Sequence, residues 1–391
     1  MSSRSPGAGR PSSGRSTAAA RRSPADTVTG KQAWTTCSPR ADGDDDRSTA
    51  AAGQDPGQDP GRGANRGANR GAGLSAVERP HPVLAEVVRS GFVEGLHRGS
   101  LVVLDADGRV GPTLGDVTSP VFPRSCNKPM QAAAMLRAGV GLDGELLALA
   151  AASHSGEPFH VEGVRKILAG AGLTESALRN PPDLPLDVEA AEQWLRDGGG
   201  RERILMNCSG KHAAMLAACV VNGWPLETYP DPGHPLQRLV LDVLGDLSGE
   251  PVERVGVDGC GAPVAALSLT GLARAFARCV GAPEGTPERK VADAMRAHPE
   301  YVAGTRRADT WLMREVPGVL AKVGAESVQA VALPDGRALA FKVDDGSRRA
   351  LGPVLARALE LLGVDSPVLA RIADSPLLGG GERVGEVRAV F

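Results

Sequence analysis

A serine and a lysine stand three residues apart in the stretch RSCNKPMQAAAML, just before a run that is predicted to be helical. Residues at positions i and i+3 of a helix share a face, so Lys128 could take the hydroxyl proton of Ser125 if burial lowers its pKa. The positive end of the helix would favour the alkoxide that develops on Ser125. A serine is also a common N-cap, so the pair alone is a weak indication of a nucleophile and its base.

Two further segments place polar side chains beside apolar elements. In AASHSGE, Ser153 and His154 follow an apolar helix. This position is expected either at the edge of a functional site or at an ordinary helix C-terminus. In VLAKVGAE, Lys322 lies between apolar residues and a glycine, where loss of hydration would lower its pKa. An exposed lysine at the start of a hairpin is the alternative for this position.

Thiols occur in two glycine-containing segments, NCSGKHAAML and VDGCGAP. Cys208 precedes Lys211, His212 and an apolar helix, and a thiol at a helix N-terminus tends towards a thiolate that can act as a nucleophile or a soft metal ligand. Cys260 follows Asp258 in a turn. The sequence contains no Cys-x-x-Cys pattern and cannot pair cysteines so far apart, so buried, inert thiols remain the alternative.

The elements that must position these residues are strands at both ends of the body and helices between them. GSLVVLDADGRV and AVALPDGRALAFKVDDG each predict a hairpin around an Asp-Gly turn, and VGEVRAVF predicts a final strand. The apolar spacing predicts helices over 128–138, 143–152, 160–171, 209–222, 234–248, 263–279, 287–298 and 347–363. This order indicates an α+β fold, in which helices cover an antiparallel sheet.

The composition excludes several classes of function. With 42% hydrophobic and 23% charged residues and a net charge of -2, the chain has no basic field that would recruit nucleic acid. Its apolar runs are shorter than the ~20 residues of a membrane helix, and the first residues contain no secretory signal. The six cysteines are sparse for this length, which favours reduced thiols and therefore a cytoplasmic protein.

The first 73 residues differ from the rest in that they contain no Leu, Ile or Phe. They include the tandem repeats GQDPGQDPG and RGANRGANR, and such a segment buries too little apolar surface to offset the entropy of ordering. We expect a disordered tail over residues 1–75 and a folded domain over 76–391. An RNA-binding tail is the functional alternative, but the segment has only a small positive charge and one aromatic residue, Trp34.

Seven blocks in one order resemble the asparaginase II family, the L-asparaginases of the Rhizobium etli type. The resemblance covers about residues 82–391 and rests on RSCNKPMQA, ASHSGE, NCSGKHAAML, YPDPGHPLQ, DGCGAP, HPEYVAGTRRADTWLM and KVGAE. It implies a fold similar to serine β-lactamases and glutaminases. It also implies that the chain hydrolyses L-asparagine to L-aspartate and ammonia.

The resemblance assigns roles to individual residues. It implies two Ser-Lys pairs, a zinc ion, further contacts to the substrate, and a homodimer. The catalytic residues would be Ser125, Lys128, Ser153 and Lys322; the zinc ligands Cys208, Lys211 and Cys260; and the substrate-binding residues Asp258, His212 and Arg124. Three features depart from the family pattern: Cys126, where a small residue without a thiol is expected; Ser327, where glycine is more usual; and the segment LLGGGERVGEVR, which lacks an expected Asn before its glycines.

Two other functions remain compatible with these residues. A related serine amidohydrolase could act on another amide, such as glutamine or a β-lactam-like ring, because no residue in the sequence reports the size of the pocket. A zinc-binding relative that has lost turnover is the third possibility. The presence of both serines and both lysines argues against such a loss.

Deletion of the first 73 residues should leave the folded domain intact, because that segment has almost no apolar side chains to contribute to a core. A chain that starts at Leu74 should keep the amide-hydrolysing activity and the melting temperature of the full-length protein. Parallel activity and thermal unfolding measurements on the two chains test this. A loss of either property would place the domain boundary further towards the N-terminus.

Overall fold

The computed structural model describes residues 81–391, and the predicted tail over 1–75 lies outside this range. Ten strands are present in the described residues: β1 Val83–Arg89, β2 Phe92–Leu104, β3 Val110–Leu114, β4 Val255–Val257, β5 Pro263–Ala265, β6 Leu320–Gly324, β7 Val328–Ala332, β8 Ala338–Val343, β9 Pro376–Gly379 and β10 Glu382–Ala389. The strands thus lie mainly at the two ends of the domain, as the sequence predicts.

Helices fill the middle of the chain. The α-helices are α1 Lys128–Arg137, α2 Gly144–Ala150, α3 Pro158–Gly170, α4 Val188–Arg196, α5 Ser209–Asn222, α6 Pro235–Ser248, α7 Leu269–Gly281, α8 Pro287–Ala297, α9 Pro299–Val302, α10 Ala308–Glu315, α11 Leu351–Leu361 and α12 Val368–Ala373. Short 3-10 turns cover Arg124–Asn127, Glu175–Ala177, Arg203–Leu205 and Arg348–Ala350. Within the described residues no helix is long and apolar enough to cross a membrane.

The main sheet is antiparallel, with the strand order β6-β7-β8-β2-β1-β10-β9 and β3 paired to β2. Every residue of β7 is buried, although alternate side chains of a strand point to opposite faces. Helices therefore cover both faces of this part of the sheet; α7 packs on β2, β7 and β8, and α11 packs on β1, β7 and β10. The α+β prediction is confirmed.

One predicted helix begins in the wrong place. The expected helix over 263–279 starts only at Leu269, because Pro263–Ala265 forms β5 and pairs with β4. The Ser268 side chain accepts a hydrogen bond from the Gly271 N–H and caps α7, which fixes the true start. The apolar residues before Ser268 extended the predicted helix because a short buried strand and a buried helix have similar compositions.

The edge strand β6 is buried along its whole length. The 3-10 turn Arg124–Asn127 and helix α10 pack against it. This approach depends on Gly324, since a Cβ at that position would lie 2.4 Å from the Pro123 carbonyl oxygen. The Cys126 thiol donates a hydrogen bond to the Lys322 carbonyl oxygen at 3.0 Å. These contacts bring Lys322 close to the segment that carries Ser125 and Lys128.

Candidate active site

The centre of the site is the Ser153 hydroxyl, which lies between two buried lysines. Lys128 Nζ is 2.9 Å from Ser153 Oγ, and Lys322 Nζ is 3.2 Å from the same oxygen. Both lysine side chains are at most 1% exposed. Three of the four predicted catalytic residues therefore meet at one oxygen atom, although they come from α1, the end of α2 and β6.

Backbone contacts hold each member of this cluster. The Ser153 N–H donates to the Val302 carbonyl oxygen at 2.9 Å, which fixes the chain as it leaves α2. Lys322 Nζ also donates to the Val323 carbonyl oxygen at 2.7 Å, and Lys128 Nζ also donates to the Ala152 carbonyl oxygen. Buried ammonium groups need such acceptors because they have lost their hydration.

The fourth predicted residue, Ser125, lies apart from this hydrogen-bond network. Its side chain is half-buried in the 3-10 turn before α1, and its hydroxyl has no hydrogen-bond partner among residues 81–391. The Lys128 backbone N–H donates to the Ser125 carbonyl oxygen, whereas the Lys128 ammonium reaches Ser153. Sequence spacing pairs Lys128 with Ser125, but the side-chain contact in this structure is with Ser153.

The electrostatic surroundings of Lys322 favour loss of its proton. Burial, aided by the positive charges of Lys128 and Arg307, lowers the pKa of Lys322 to about 8, although Asp309 and Cys126 oppose the shift. A neutral amine near physiological pH can accept a proton from a serine hydroxyl. The cluster can therefore supply a general base without a histidine.

A second cluster contains the predicted metal ligands. Cys208, the N-cap residue of α5, and Cys260, in the turn between β4 and β5, share one buried cluster with Met206 and Ala262. Lys211 Nζ, in the first turn of α5, is 3.2 Å from Cys260 Sγ. The structure thus brings together all three predicted zinc ligands, which the sequence alone could not pair.

The two sulfurs titrate as a pair. A hydrogen bond between them, together with the Lys211 charge, holds the pKa of Cys260 well below its usual value, and the same bond raises the pKa of Cys208. Burial opposes the charge on Lys211, but the neighbouring sulfurs hold its pKa above its usual value. These directions favour negative charge on the Cys260 sulfur rather than on Cys208, next to the Lys211 ammonium group.

The donors of this second cluster fit a zinc ion only if the Lys211 amine is one of the ligands. Two sulfurs suit zinc, and the Lys211 amine supplies a third donor within the same buried cluster. Among the described residues, no group of three or more His, Cys, Asp or Glu side chains is arranged to hold a metal. Any ion bound here would therefore rely on lysine as a ligand. The metal would displace the proton that Lys211 carries.

The two clusters contact each other directly. Lys128 Nζ lies 3.1 Å from Cys208 Sγ as well as next to Ser153. On the other side, Arg124 Nε donates to Asp258 Oδ1 at 2.8 Å, which joins the residue before Ser125 to the turn that contains Cys260. The thiols and their turn therefore contact both Lys128 and the residue before Ser125.

Arg124 holds an unusual backbone conformation at this junction. Its φ of 54° lies in the left-handed region, which costs a non-glycine residue about 1 kcal/mol or more. The ion pair with Asp258 stabilises it there. Ser327 has a similar φ of 51°, which explains why glycine is the more usual residue at that position.

The predicted substrate-binding residue His212 is fully buried. Tyr229 Oη accepts the Arg179 N–H and lies 2.6 Å from His212 Nδ1, so the phenol donates its proton to that nitrogen. Burial lowers the pKa of His212, and the remaining proton of its neutral ring therefore sits on Nε2. The Cys260 sulfur acts on the ring by its charge and by a hydrogen bond, and both oppose the lowering of the pKa of His212.

Sequence reasoning did not identify the part played by His154. Its Nδ1 accepts the Gly156 N–H at 3.1 Å, so its Nε2 carries the proton and donates to Ser209 Oγ at 2.8 Å. Burial, with the nearby His160 and Lys128, holds the pKa of His154 well below its usual value. This neutral ring anchors the segment after Ser153 to the start of α5. Histidine next to serine in ASHSGE was the available signal.

The comparison with protein families matches the L-asparaginase II profile over residues 85–389. The chain belongs to the L-asparaginase II family. The match includes every residue of both clusters, and the reaction class of the family is hydrolysis of an amide bond. No curated protein matches the chain.

Solved structures similar to this L-asparaginase II family member include a β-lactamase from Mycobacterium bovis and the protein Mglu in its native form. The first is 16% identical with a TM-score of 0.41 and covers 68% of this chain and 94% of that chain. The second is 14% identical with a TM-score of 0.37 and covers 68% of this chain and 64% of that chain. These TM-scores are low, so the fold of this chain is defined by its own strand order.

The lowered pKa of Lys322 predicts a pH-dependent stability difference between the wild type and Lys322→Met. The folded chain releases this proton at about pH 8, whereas the unfolded chain holds it until about 10.4, so the unfolded chain binds more protons between these values. The free energy of unfolding of the wild type should therefore rise relative to that of the variant by up to roughly 3 kcal/mol from pH 8 to 10.5.

Urea unfolding at half-unit pH steps measures this difference. Lys166→Met, at an exposed position on α3, is the control and should show a constant difference from the wild type. A difference for Lys322→Met that is equally constant would mean that Lys322 holds its proton in the folded chain.

Proposed function

We propose that the protein is an L-asparaginase that hydrolyses L-asparagine to L-aspartate and ammonia through a serine ester. The observation that carries the proposal is the Ser153 hydroxyl held between Lys128 and Lys322 in a member of the L-asparaginase II family. Two buried amines on one hydroxyl form a proton relay. Amide hydrolysis needs such a relay, because a proton must leave the nucleophile and reach the departing nitrogen.

Ser125 is the nucleophile in this proposal. Its hydroxyl is the more exposed of the two serines and is not engaged with another side chain among residues 81–391, whereas the Ser153 oxygen already contacts two lysines. The oxygen of Ser125 attacks the side-chain amide carbon of asparagine. Its proton passes to the relay of Lys128, Ser153 and Lys322.

The second half of the reaction uses the same groups in reverse. As the C–N bond breaks, the relay returns a proton to the nitrogen, which leaves as ammonia, and an aspartyl ester remains on Ser125. Water then attacks the ester carbon, the relay takes a proton from that water, and the Ser125 oxygen recovers its proton as aspartate leaves. The pKa of Lys322 near 8 suits it to both tasks, since it can accept and donate at neutral pH.

Arg124, Asp258 and His212 bind the substrate in this proposal. The Arg124 guanidinium suits the α-carboxylate, and the Asp258 carboxylate suits the α-ammonium. The two side chains form an ion pair at 2.8 Å and are 24% and 12% exposed, so a zwitterion of matching charge can reach them. His212 is buried beside the Cys260 sulfur and is the third residue of this set.

We further propose that Cys208, Lys211 and Cys260 hold a zinc ion. When bound, the ion would polarise or orient a polar group of the substrate. The chain's own residues would then determine how the rest of the substrate lies, with the Arg124–Asp258 pair on one side and the relay on the other. From the family resemblance we also propose a homodimer located in the cytoplasm.

The nucleophile can be tested with matched serine variants. Ser125→Ala should lower kcat on asparagine by about 1000-fold or more, the scale for loss of a covalent nucleophile, and should leave the melting temperature almost unchanged. Ser153→Ala should also lower kcat, because it interrupts the relay, but it should still permit slow acylation. Ammonia release on asparagine and on glutamine measures both rates and shows which amide is preferred.

Acid quenching during turnover, followed by peptide mass spectrometry, locates the ester. The aspartyl group should be found on the peptide that contains Ser125. An ester on Ser153, or wild-type turnover by Ser125→Ala, would overturn the assignment. Turnover of neither amide by the wild type would overturn the proposed activity itself.

The metal site predicts a defined zinc content. The purified protein should contain about one zinc per chain, because two thiolates and an amine bind this ion well. Cys260→Ser should lose most of the metal, and a chelator should lower the melting temperature of the wild type more than that of the variant. Cys219→Ala, on the buried face of α5, is the control and should retain the zinc. Equal zinc contents in both variants would exclude this site.

A further inference from the structure

A buried carboxylate that the proposed reaction does not use controls the strand carrying Lys322. Asp309 is the second residue of α10 and is 2% exposed. Its Oδ2 accepts the Val323 N–H at 2.8 Å, and its Oδ1 accepts Gln329 Nε2 at 3.0 Å. Val323 and Gln329 are partners in the β6–β7 register, so one carboxylate bridges a pair of facing residues.

The hydrogen bond to Val323 fixes the peptide group that directly follows Lys322. Strand β6 is the edge of the sheet among the described residues, and no further strand takes the Val323 N–H. Lys322 Nζ folds back onto the carbonyl oxygen of Val323 and also reaches Ser153. The position of the Val323 backbone therefore determines where the lysine amine lies relative to the hydroxyl.

Among the described residues, Asp309 is the carboxylate that acts most strongly on Lys322. The ionisable groups around the amine come from α1, the 3-10 turn before it, the start of α10 and the residue preceding α10, and are Lys128, Cys126, Asp309 and Arg307. Burial keeps the Cys126 thiol neutral by raising its pKa, so Asp309 supplies the negative charge. The two cations and the loss of hydration favour the neutral amine. Without Asp309, little would remain to let Lys322 hold a proton, and a base that cannot hold a proton cannot return one.

We propose that Asp309 is a positioning residue of this active site, which holds the backbone that follows Lys322 and supplies the negative charge that allows Lys322 to carry a proton during turnover. The inference rests on the proposed function, because it takes Lys322 as part of the proton relay. Asp309 itself touches neither serine, so it acts only through Lys322.

Asp309→Asn tests the charge while it keeps the shape of the side chain. The chain contains only seven lysines, so the 13Cε resonance of Lys322 can be assigned in lysine-labelled full-length protein by its loss in Lys322→Met. The titration midpoint of Lys322 should fall by about one pH unit in Asp309→Asn, as expected when a nearby opposite charge is removed. The pH at which kcat/KM is half-maximal should fall with it, and kcat should drop about tenfold with little change in KM.

Gln329→Met is the matched control. It removes the other partner of the Asp309 carboxylate but leaves the charge and the Val323 hydrogen bond in place. The Lys322 midpoint should stay within a few tenths of a unit of the wild-type value. Asp309→Ser, in which a smaller hydroxyl replaces the charge, provides a second uncharged variant if Asp309→Asn does not fold.

The outcomes separate this inference from the proposed function. The role of Asp309 would be overturned if the titration midpoint of Lys322 were unchanged in Asp309→Asn and Asp309→Ser. It would also be overturned if Gln329→Met shifted the midpoint as much as these variants do. Both results count against the role at any level of asparaginase activity. A shifted midpoint together with full asparaginase activity in Lys322→Met would instead remove Lys322 from the relay. The charge coupling would then stand, but Asp309 would no longer be a positioning residue for the reaction.

Discussion

The convergence of two buried lysines on one serine oxygen is the constraint on which the rest of the site depends. Two ammonium groups in a buried space repel each other and lack water, so at least one of them is driven towards the neutral form. Carbonyl oxygens of Ala152 and Val323 accept the remaining lysine protons. The folded protein tolerates this arrangement because each nitrogen has hydrogen-bond acceptors, and the same arrangement favours a neutral amine at Lys322.

The surrounding elements hold Lys128 and Lys322 close together despite their mutual repulsion. Gly324 allows β6 to approach the turn before α1, and Asp309 takes the edge N–H of the same strand. On the opposite side, His154 links the segment after Ser153 to α5 through its hydrogen bond to Ser209. Cys208 is the N-cap residue of the same helix. The segments that carry Lys128, Ser153 and Lys322 lie in different parts of the chain. The site therefore forms only in the complete tertiary structure.

Much of the fold could be predicted from local patterns, whereas the proposed roles of the site residues came from the family resemblance. Helix α5 was predicted with both ends correct, because its apolar face is continuous and Gly223 ends it in a left-handed conformation. Strand β5 was mistaken for helix because a strand of three apolar residues carries no period. The partner of Lys128 could not be predicted, since the choice between Ser125 and Ser153 depends on how α1 packs against the end of α2. The contacts of Asp309 could not be predicted either, because its partners lie on β6 and β7.

The order of strands has a consequence for how the chain is made. Strand β1 is the first strand of the described residues, and one of its edges pairs with β10, which follows it by nearly 300 residues. During synthesis on the ribosome, β1 and β2 can form a hairpin early, but the other edge of β1 stays unpaired until β10 has been made. An unpaired strand edge is a template for another chain, so this polypeptide passes through an aggregation-prone stage that ends when β10 pairs with β1.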